Sequence, residues 1–528
     1  MGFLTRVFAP EQKPVSAKVL RNALFSLLQN IVVFPIPFLL IPFILGKVGI
    51  SDYGVYAVLF AVIGFTALTD LGMAATLTKH VAEHYAKGDF AALKRLLDTG
   101  LMFYLLVCLF VMSALWAASG RLLPGLFRNI SIPYHELRHV WLVIILITGI
   151  NILAAPFSSV VVGLQRMDLG SVLGFVNVVA NAVFTVLFLS LGWHLRGLVY
   201  ANLAGALLGL GLLVAFVHKL LPNISINPFL FDREKMKEVF TFSWRLYVTQ
   251  VAFVFQCQIE KVYLGWLVGM TPVAWYNIAS TAGTKARRVP ELLLSPVMAA
   301  ASELDARGDA EKLKELYYRA HKYMAFLSIP LLLLVAVLCR QFVNLWLGPQ
   351  LIVVAVPLAL LVLTNIFNLI TGPGYYITIG RGELSPAVKT SVCGTVLNVV
   401  MSFFLIRFYG FSGAVVGTIT SAAFGMILFM CLFHRYSGYP YKRLFAESYL
   451  KPIGASLAGG AACFLINSLR PIGWGGLVLE VAVFGVVYLM ALIVTRFFDA
   501  FDLKQAARLL PVSLPRALSE NWGVGARK

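Results

Sequence analysis

Three cations, Lys285, Arg287 and Arg288, interrupt a stretch from Pro272 to Ala301 that is otherwise apolar enough to cross a lipid bilayer. A charge at the centre of a membrane costs at least about 2.5 kcal/mol, so such residues by default face a protein-lined cavity and bind something of opposite sign. Guanidinium groups can hold phosphate or carboxylate oxygens bidentately, and an ammonium adds a compact charge. The chemistry open to this cluster is capture of an anion. On a helix Lys285 and Arg288, three residues apart, share a face. Arg287 is turned by about 100° from Arg288, which puts Lys285 and Arg288 first. A second reading ends the helix at Arg288 and leaves the cluster among cytoplasmic headgroups. That reading gives no role to the apolar run ELLLSPVMAA (291–300) around Pro290 and Pro296.

Other polar residues also fall in apolar segments. Residues 240–269 carry Arg245, Gln250, Gln256, Gln258, Glu260 and Lys261, and the first apolar segment carries Asn30. Intramembrane ionisable groups face bundle interiors and pair with one another. Gln250, Gln256, Lys261 and Asn30 therefore join the cations as candidate binding residues. Glu260 is a candidate coupling-ion site, because a desolvated carboxylate can titrate near neutral pH. It could equally form a local ion pair with Lys261. Asp70, in LTDLGM, either couples ion movement or satisfies backbone groups freed near Gly72. His135-Glu136-Leu137-Arg138-His139 matches H-E-x-x-H, which on a helix presents two imidazoles to zinc beside a general-base glutamate. Catalytic zinc needs a third protein ligand, and no convincing one follows on the same side. The alternative is a set of interfacial polar residues at a helix start. His80 and His84 read as a solvated face. The six scattered cysteines read as packing residues. No G-x-x-x-x-G-K-[ST] is present, and no cofactor or metal is expected.

The elements that position these residues follow from composition. The chain has 528 residues, 59% hydrophobic and 13% charged, against about 25% charged in soluble domains. About fourteen apolar runs recur, each near the ~20 residues that span ~30 Å of hydrocarbon as a helix. The expected class is an all-α polytopic membrane protein. The first 20 residues lack an apolar h-region, so the first span reads as retained rather than cleaved. The net charge of +19 is not a nucleic-acid signature. With both ends inside, the even-numbered connections and the tails hold about 30 of the 43 Lys and Arg, the asymmetry of the positive-inside rule. Trp116, Trp141, Trp193, Trp266, Trp275, Trp346 and Trp474 all fall at outward ends of spans, where indole prefers the interface.

An internal repeat appears at an offset near 220 residues. KHVAEHYAKGDFAALKRL, with Gly88-Asp89, matches AASELDARGDAEKLKELY, with Gly308-Asp309. YGVY (53–56) meets VAWY (273–276), Asn30 meets Gln250, and GFVNVVAN (174–181) meets GTVLNVVM (394–401). The chain then reads as two homologous six-helix bundles, 1–220 and 221–440, around a central cavity, with two further helices and a basic tail in 441–528. Two similar halves about a cavity suit alternating access. At this offset Lys285 to Arg288 correspond to Phe65 to Leu68, in the middle of the second span. Ten residues from Trp275 to Lys285 rise about 15 Å, half the core thickness.

With these residues in place, the chain resembles the polysaccharide-transporter branch of the multidrug/oligosaccharidyl-lipid/polysaccharide exporter superfamily, which includes the O-antigen flippases. Gly-x-x-Asp-Tyr-Gly-Val-Tyr at 49–56, Thr-Asp-Leu-Gly-Met at 69–73, Leu-Thr-Lys-His-Val-Ala-Glu at 77–83 and Trp-Tyr-Asn-Ile-Ala at 275–279 carry the likeness, which covers nearly the whole chain. The resemblance implies fourteen helices, two lobes and a cationic cavity for a diphosphate. It implies movement of undecaprenyl-diphosphate-linked oligosaccharide from the inner to the outer leaflet of the bacterial cytoplasmic membrane. It also implies drive by a proton or sodium gradient, and polymerase and glycosyltransferase partners. The related lipid II flippases carry a cation five residues before a proline in the eighth helix, and Lys285 before Pro290 is similar. Thr284 stands where those proteins commonly have Asp, and their mid-membrane arginines in the first two spans are missing here. Those departures argue for a different glycan. The rival within transport is a cation-coupled drug exporter of the same superfamily, whose cationic substrates three intramembrane cations would repel. The rival outside transport is a zinc metallopeptidase using His135 and His139.

Overall fold

A computed structural model describes the backbone of residues 33, 35–127, 130, 132–222, 233–469 and 473–502, and their side chains except 233–246, 295, 468 and 469. The described residues form helices and no strands. In chain order these are α1 (Pro35–Val48), α2 (Ile50–Phe65), α3 (Met73–Lys87), α4 (Phe90–Leu126), α5 (Tyr134–Gly163), α6 (Met167–Ser190), α7 (His194–Leu220) and α8 (Arg233–Leu267). Then come α9 (Met270–Glu291), α10 (Leu294–Ala306), α11 (Ala310–Leu347), α12 (Ala355–Gly380), α13 (Ser385–Ser437), the short α14 (Tyr441–Leu444), α15 (Leu450–Leu469) and α16 (Trp474–Val494).

Among the described residues ten stretches are long and apolar enough to cross a membrane, so the chain is a multi-pass membrane protein. The remaining expected spans differ from these for physical reasons. Most of the first lies outside the described residues, leaving α1. The polar residues of α8 and the cations of α9 lower their apolar character. The eleventh and twelfth are merged in α13, whose 53 residues would reach about 80 Å if straight. Gly410, at φ 57° and ψ −131°, divides it.

The repeat is visible in local geometry. Gly49 and Gly269 both have positive φ, and the helices after them start at Ile50 and Met270, 220 residues apart. Gly88 (φ 70°) and Gly308 (φ 68°) end α3 and α10 in the left-handed conformation that favours glycine. Asp89 and Asp309 follow at nearly the same backbone angles and cap α4 and α11, accepting from the backbone N–H groups of Ala92 (2.9 Å) and Lys312 (3.2 Å). Lys312 also holds the Asp309 carboxyl below the usual carboxylate range through its hydrogen bonds.

The chain divides into two compact units, residues 1–277 with 391–417, and 278–390 with 418–528. In the first, α5 packs on α3, α4 and α7, and α2 packs on α8. Its core includes Met73, Leu77, Leu93, Tyr104, Val161 and Leu169. Trp141 differs from its interfacial expectation: it is fully buried and donates its indole N–H to the Leu115 carbonyl at 3.2 Å. Gly54 lets α2 touch the start of α9, because a Cβ there would collide with the Met270 carbonyl.

In the second unit α12 packs on α10 and α11, and α15 packs on α11 and α16. The segment after α16 is pinned to α11 by charge. Lys322, nearly buried, pairs with Asp502, and with Asp499 at 3.3 Å. Arg319 pairs with Asp499 at 3.3 Å and stacks over Phe501 at 4.0 Å. Removing one partner of a buried pair costs about 3–5 kcal/mol, and Asp499 would offset part of that for Lys322. Asp502→Ala is expected to cost about 2 kcal/mol. In detergent-solubilised protein this should appear as a lower thermal-unfolding midpoint, with the exposed Glu311→Ala as an unchanged comparison.

Candidate functional site

The cations lie at the end of α9. Pro290, in its last turn, has no N–H to give to the Ala286 carbonyl, so the helix stops at Glu291. Leu292 and Leu293 bond only to Val289 (3.4 Å) and Pro290 (3.1 Å), and α10 starts at Leu294. The second apolar run therefore forms its own helix, and the cluster occupies the last two turns before a break. The first repeat breaks at the corresponding place. There α2 tightens into a 3-10 turn over Thr66–Asp70, and Leu71 and Gly72 are left-handed. At the 220 offset the counterpart of the cluster is the tightened end of α2 that precedes a break. Only the second copy is cationic there.

A helix C-terminus favours a cation in its last turn, which suits Arg288. The arginines also have an acidic neighbour. Arg287 Nε lies 3.2 Å from Glu291 Oε1, and an Arg288 terminal nitrogen lies 3.8 Å from Oε2. The Arg288 side chain is 68% exposed and that of Arg287 18%. Lys285 is half-buried and has no ion-pair partner among the described residues. Tyr376 on α12 is near enough to interact electrostatically with Glu291, Arg288 and Arg287.

The other predicted residues belong to the first unit. Asp70 sits at its helix break and accepts from the Tyr104 hydroxyl and from the Ala74 N–H at 3.3 Å. The carbonyls freed by the 3-10 turn are met from α8: Tyr247 donates to Leu68 O at 2.6 Å and Gln250 to Ala67 O at 3.4 Å. Asp70 and Gln250 thus attend one break, as the backbone-satisfying reading of Asp70 expects.

Further along α8 the partners come from α13. Gln256 donates to the Thr395 hydroxyl at 2.9 Å, and Asn398 donates to the fully buried Glu260 at 2.8 Å. Lys261 donates to Gln258 at 3.1 Å. Asn30 lies outside the described residues, as does the Arg245 side chain.

Sequence reasoning missed Glu291, Tyr104 and Asn398 as parts of these constellations. Glu291 could have been found from its i+3 and i+4 spacing to the arginines. Asn398 lay inside the repeat segment 394–401 and carried no other signal.

The H-E-x-x-H residues are occupied separately. Glu136 pairs with Arg196 at 3.0 Å, and His139 meets the Tyr200 hydroxyl at 2.5 Å. Among the described residues no three His, Cys, Asp or Glu side chains come together to hold a metal.

The fold has solved counterparts. It is similar to the lipid II flippase MurJ in an inward closed conformation, at 12% identity, covering 91% of this chain and 98% of that one, with a TM-score of 0.68. It is similar to an inward-facing multidrug resistance MATE family transporter of the MOP superfamily at 14% identity, covering 79% of this chain and 98% of that one, TM-score 0.66. An outward-facing conformation of a MATE family transporter gives 13% identity, 80% and 95% coverage, and a TM-score of 0.56. At such identities the likeness shows the fold alone. No curated protein matches the chain. The family model for polysaccharide biosynthesis proteins matches residues 19–302, from the first apolar segment through the cationic helix and its break. Because that match takes in more than half of the sequence, the chain belongs to the polysaccharide biosynthesis protein family.

Proposed function

We propose that this protein is a flippase that moves undecaprenyl-diphosphate-linked oligosaccharide from the inner to the outer leaflet of the bacterial cytoplasmic membrane. The observation that carries the reading is a cluster of three cations at the end of a bundle helix, in a member of a polysaccharide biosynthesis family. Moving a diphosphate through a zone of low dielectric is prohibitive unless fixed charges replace its hydration. Lys285, Arg287 and Arg288 would hold the phosphates, with Gln256, Lys261, Gln250 and Asn30 as further polar lining. The prenyl chain would stay in lipid.

The repeat supports two lobes, 1–220 and 221–440, working by alternating access about a central cavity, with 441–528 appended. Both termini would be cytoplasmic. Coupling to a proton or sodium gradient would use Glu260, buried against Asn398, with Asp70 as the lesser candidate because its carboxylate already caps a helix break. A polymerase and glycosyltransferases would be its partners. The exporter reading gains nothing from the cationic cluster.

Reconstitution tests the reading. Purified protein in liposomes is expected to speed the appearance of a fluorescent undecaprenyl-diphosphate oligosaccharide in the opposite leaflet at least tenfold over empty liposomes. It should leave a cationic dye unmoved. Transport of the dye without the lipid would support the exporter instead.

A further inference from the structure

Glu291 is a negative charge where a helix is least hospitable to one. It is the last residue of α9, where the unpaired carbonyls and the macrodipole repel an anion and favour a cation. Its carboxylate nevertheless lies across the two arginines, 3.2 Å from Arg287 Nε and 3.8 Å from Arg288. The fit is poor. Arg287 Nε is shielded from solvent yet makes no aligned hydrogen bond, and 3.8 Å is too long for one to Arg288. Two guanidinium groups thus share one loosely held carboxylate and keep unused donors. A diphosphate carries more charge and more acceptor oxygens, and guanidinium forks bind phosphate bidentately.

We propose that Glu291 is a built-in counter-ion that occupies Arg287 and Arg288 when the anion site is empty and is displaced when a diphosphate binds. This rests on the flippase reading of the same cluster and adds a regulatory part to it. The carboxylate lowers the cost of keeping two arginines unliganded, and it sets an upper limit on affinity. That limit matters for a carrier, because cargo held too tightly on one side is not released on the other.

The test measures binding of farnesyl diphosphate to purified full-length protein at constant ionic strength, with Glu291→Gln as the variant. Glutamine keeps the side-chain size and removes the competing charge. Glu291→Gln is expected to bind roughly 3- to 10-fold tighter, since each partly exposed pair contributes modestly. Its release of fluorescent undecaprenyl-diphosphate oligosaccharide in the liposome assay should be slower. Glu303→Gln, which removes an equal charge from the exposed Glu303–Arg307 pair, should leave affinity unchanged.

If wild type binds and Glu291→Gln binds no tighter than Glu303→Gln, the counter-ion role is overturned while the anion site stands. If wild type does not bind the diphosphate, or Arg287→Ala with Arg288→Ala binds as well as wild type, the flippase reading fails and the counter-ion role goes with it.

Discussion

Replacing Lys285, Arg287 and Arg288 together with alanine is expected to abolish glycan display at the cell surface while the protein still accumulates in the membrane. A hydrogen bond to a charged group contributes about 1.5–3 kcal/mol. Even if the contributions add poorly, losing three cations from one anion site should cost more than about 3 kcal/mol, over a hundredfold in occupancy. No compensating fold defect is expected. Arg288 is mostly exposed, and removing cations from an apolar stretch eases rather than hinders insertion. Lectin binding to intact cells, set against membrane immunoblots of the same cells, reads both quantities. Normal display by the triple variant would remove the diphosphate site. The structure also reorders the single substitutions. Helix register favours Lys285 and Arg288 as a pair, but Glu291 joins Arg287 to Arg288. Arg287→Ala should therefore be as damaging as Arg288→Ala.

The second large effect is expected at Glu260. It is fully buried on α8 and accepts from the Asn398 amide at 2.8 Å. An ionised carboxylate in such a place needs a proton or a cation to neutralise it, which is the property of a coupling site. Glu260→Gln keeps an acceptor for Asn398 and removes the titratable charge, so the fold should survive. Gradient-driven transport in liposomes is expected to fall about tenfold, the size of a ~1.4 kcal/mol coupling, to the rate seen without a gradient. Exchange in the absence of a gradient should be largely retained. Transport by Glu260→Gln that still responds fully to proton and sodium gradients at every pH would exclude it.

Much of this was legible in the chain itself. Runs of about 20 apolar residues specify membrane helices because the bilayer leaves the backbone few other ways to satisfy its polar groups. Gly88-Asp89 and Gly308-Asp309, paired by the repeat, both mark helix ends in the structure, because a left-handed glycine followed by a capping carboxylate is local chemistry. The cations stood out because charge is rare in such a stretch. Other features depended on neighbours distant in sequence. Trp141 fits the interfacial pattern by position, but α4 covers it and offers the Leu115 carbonyl. The H-E-x-x-H residues are another case, since Glu136 and His139 meet Arg196 and Tyr200, some 60 residues away.

By itself, the sequence determined the class of this protein, its repeat, and that a cluster of cations sits at residues 285–288. Those properties follow from hydropathy, periodicity and the cost of buried charge, which act over a few turns of chain. Only the tertiary structure decided how the polar residues are partnered. It placed Asp70 at a helix break under Tyr104, and Glu260 against Asn398 of a helix more than a hundred residues away. Where Pro290 stops α9, it set Glu291 across the two arginines. Side-chain pairing depends on which helix faces cross in space and on where a helix ends, and neither is written in the spacing of residues along one segment.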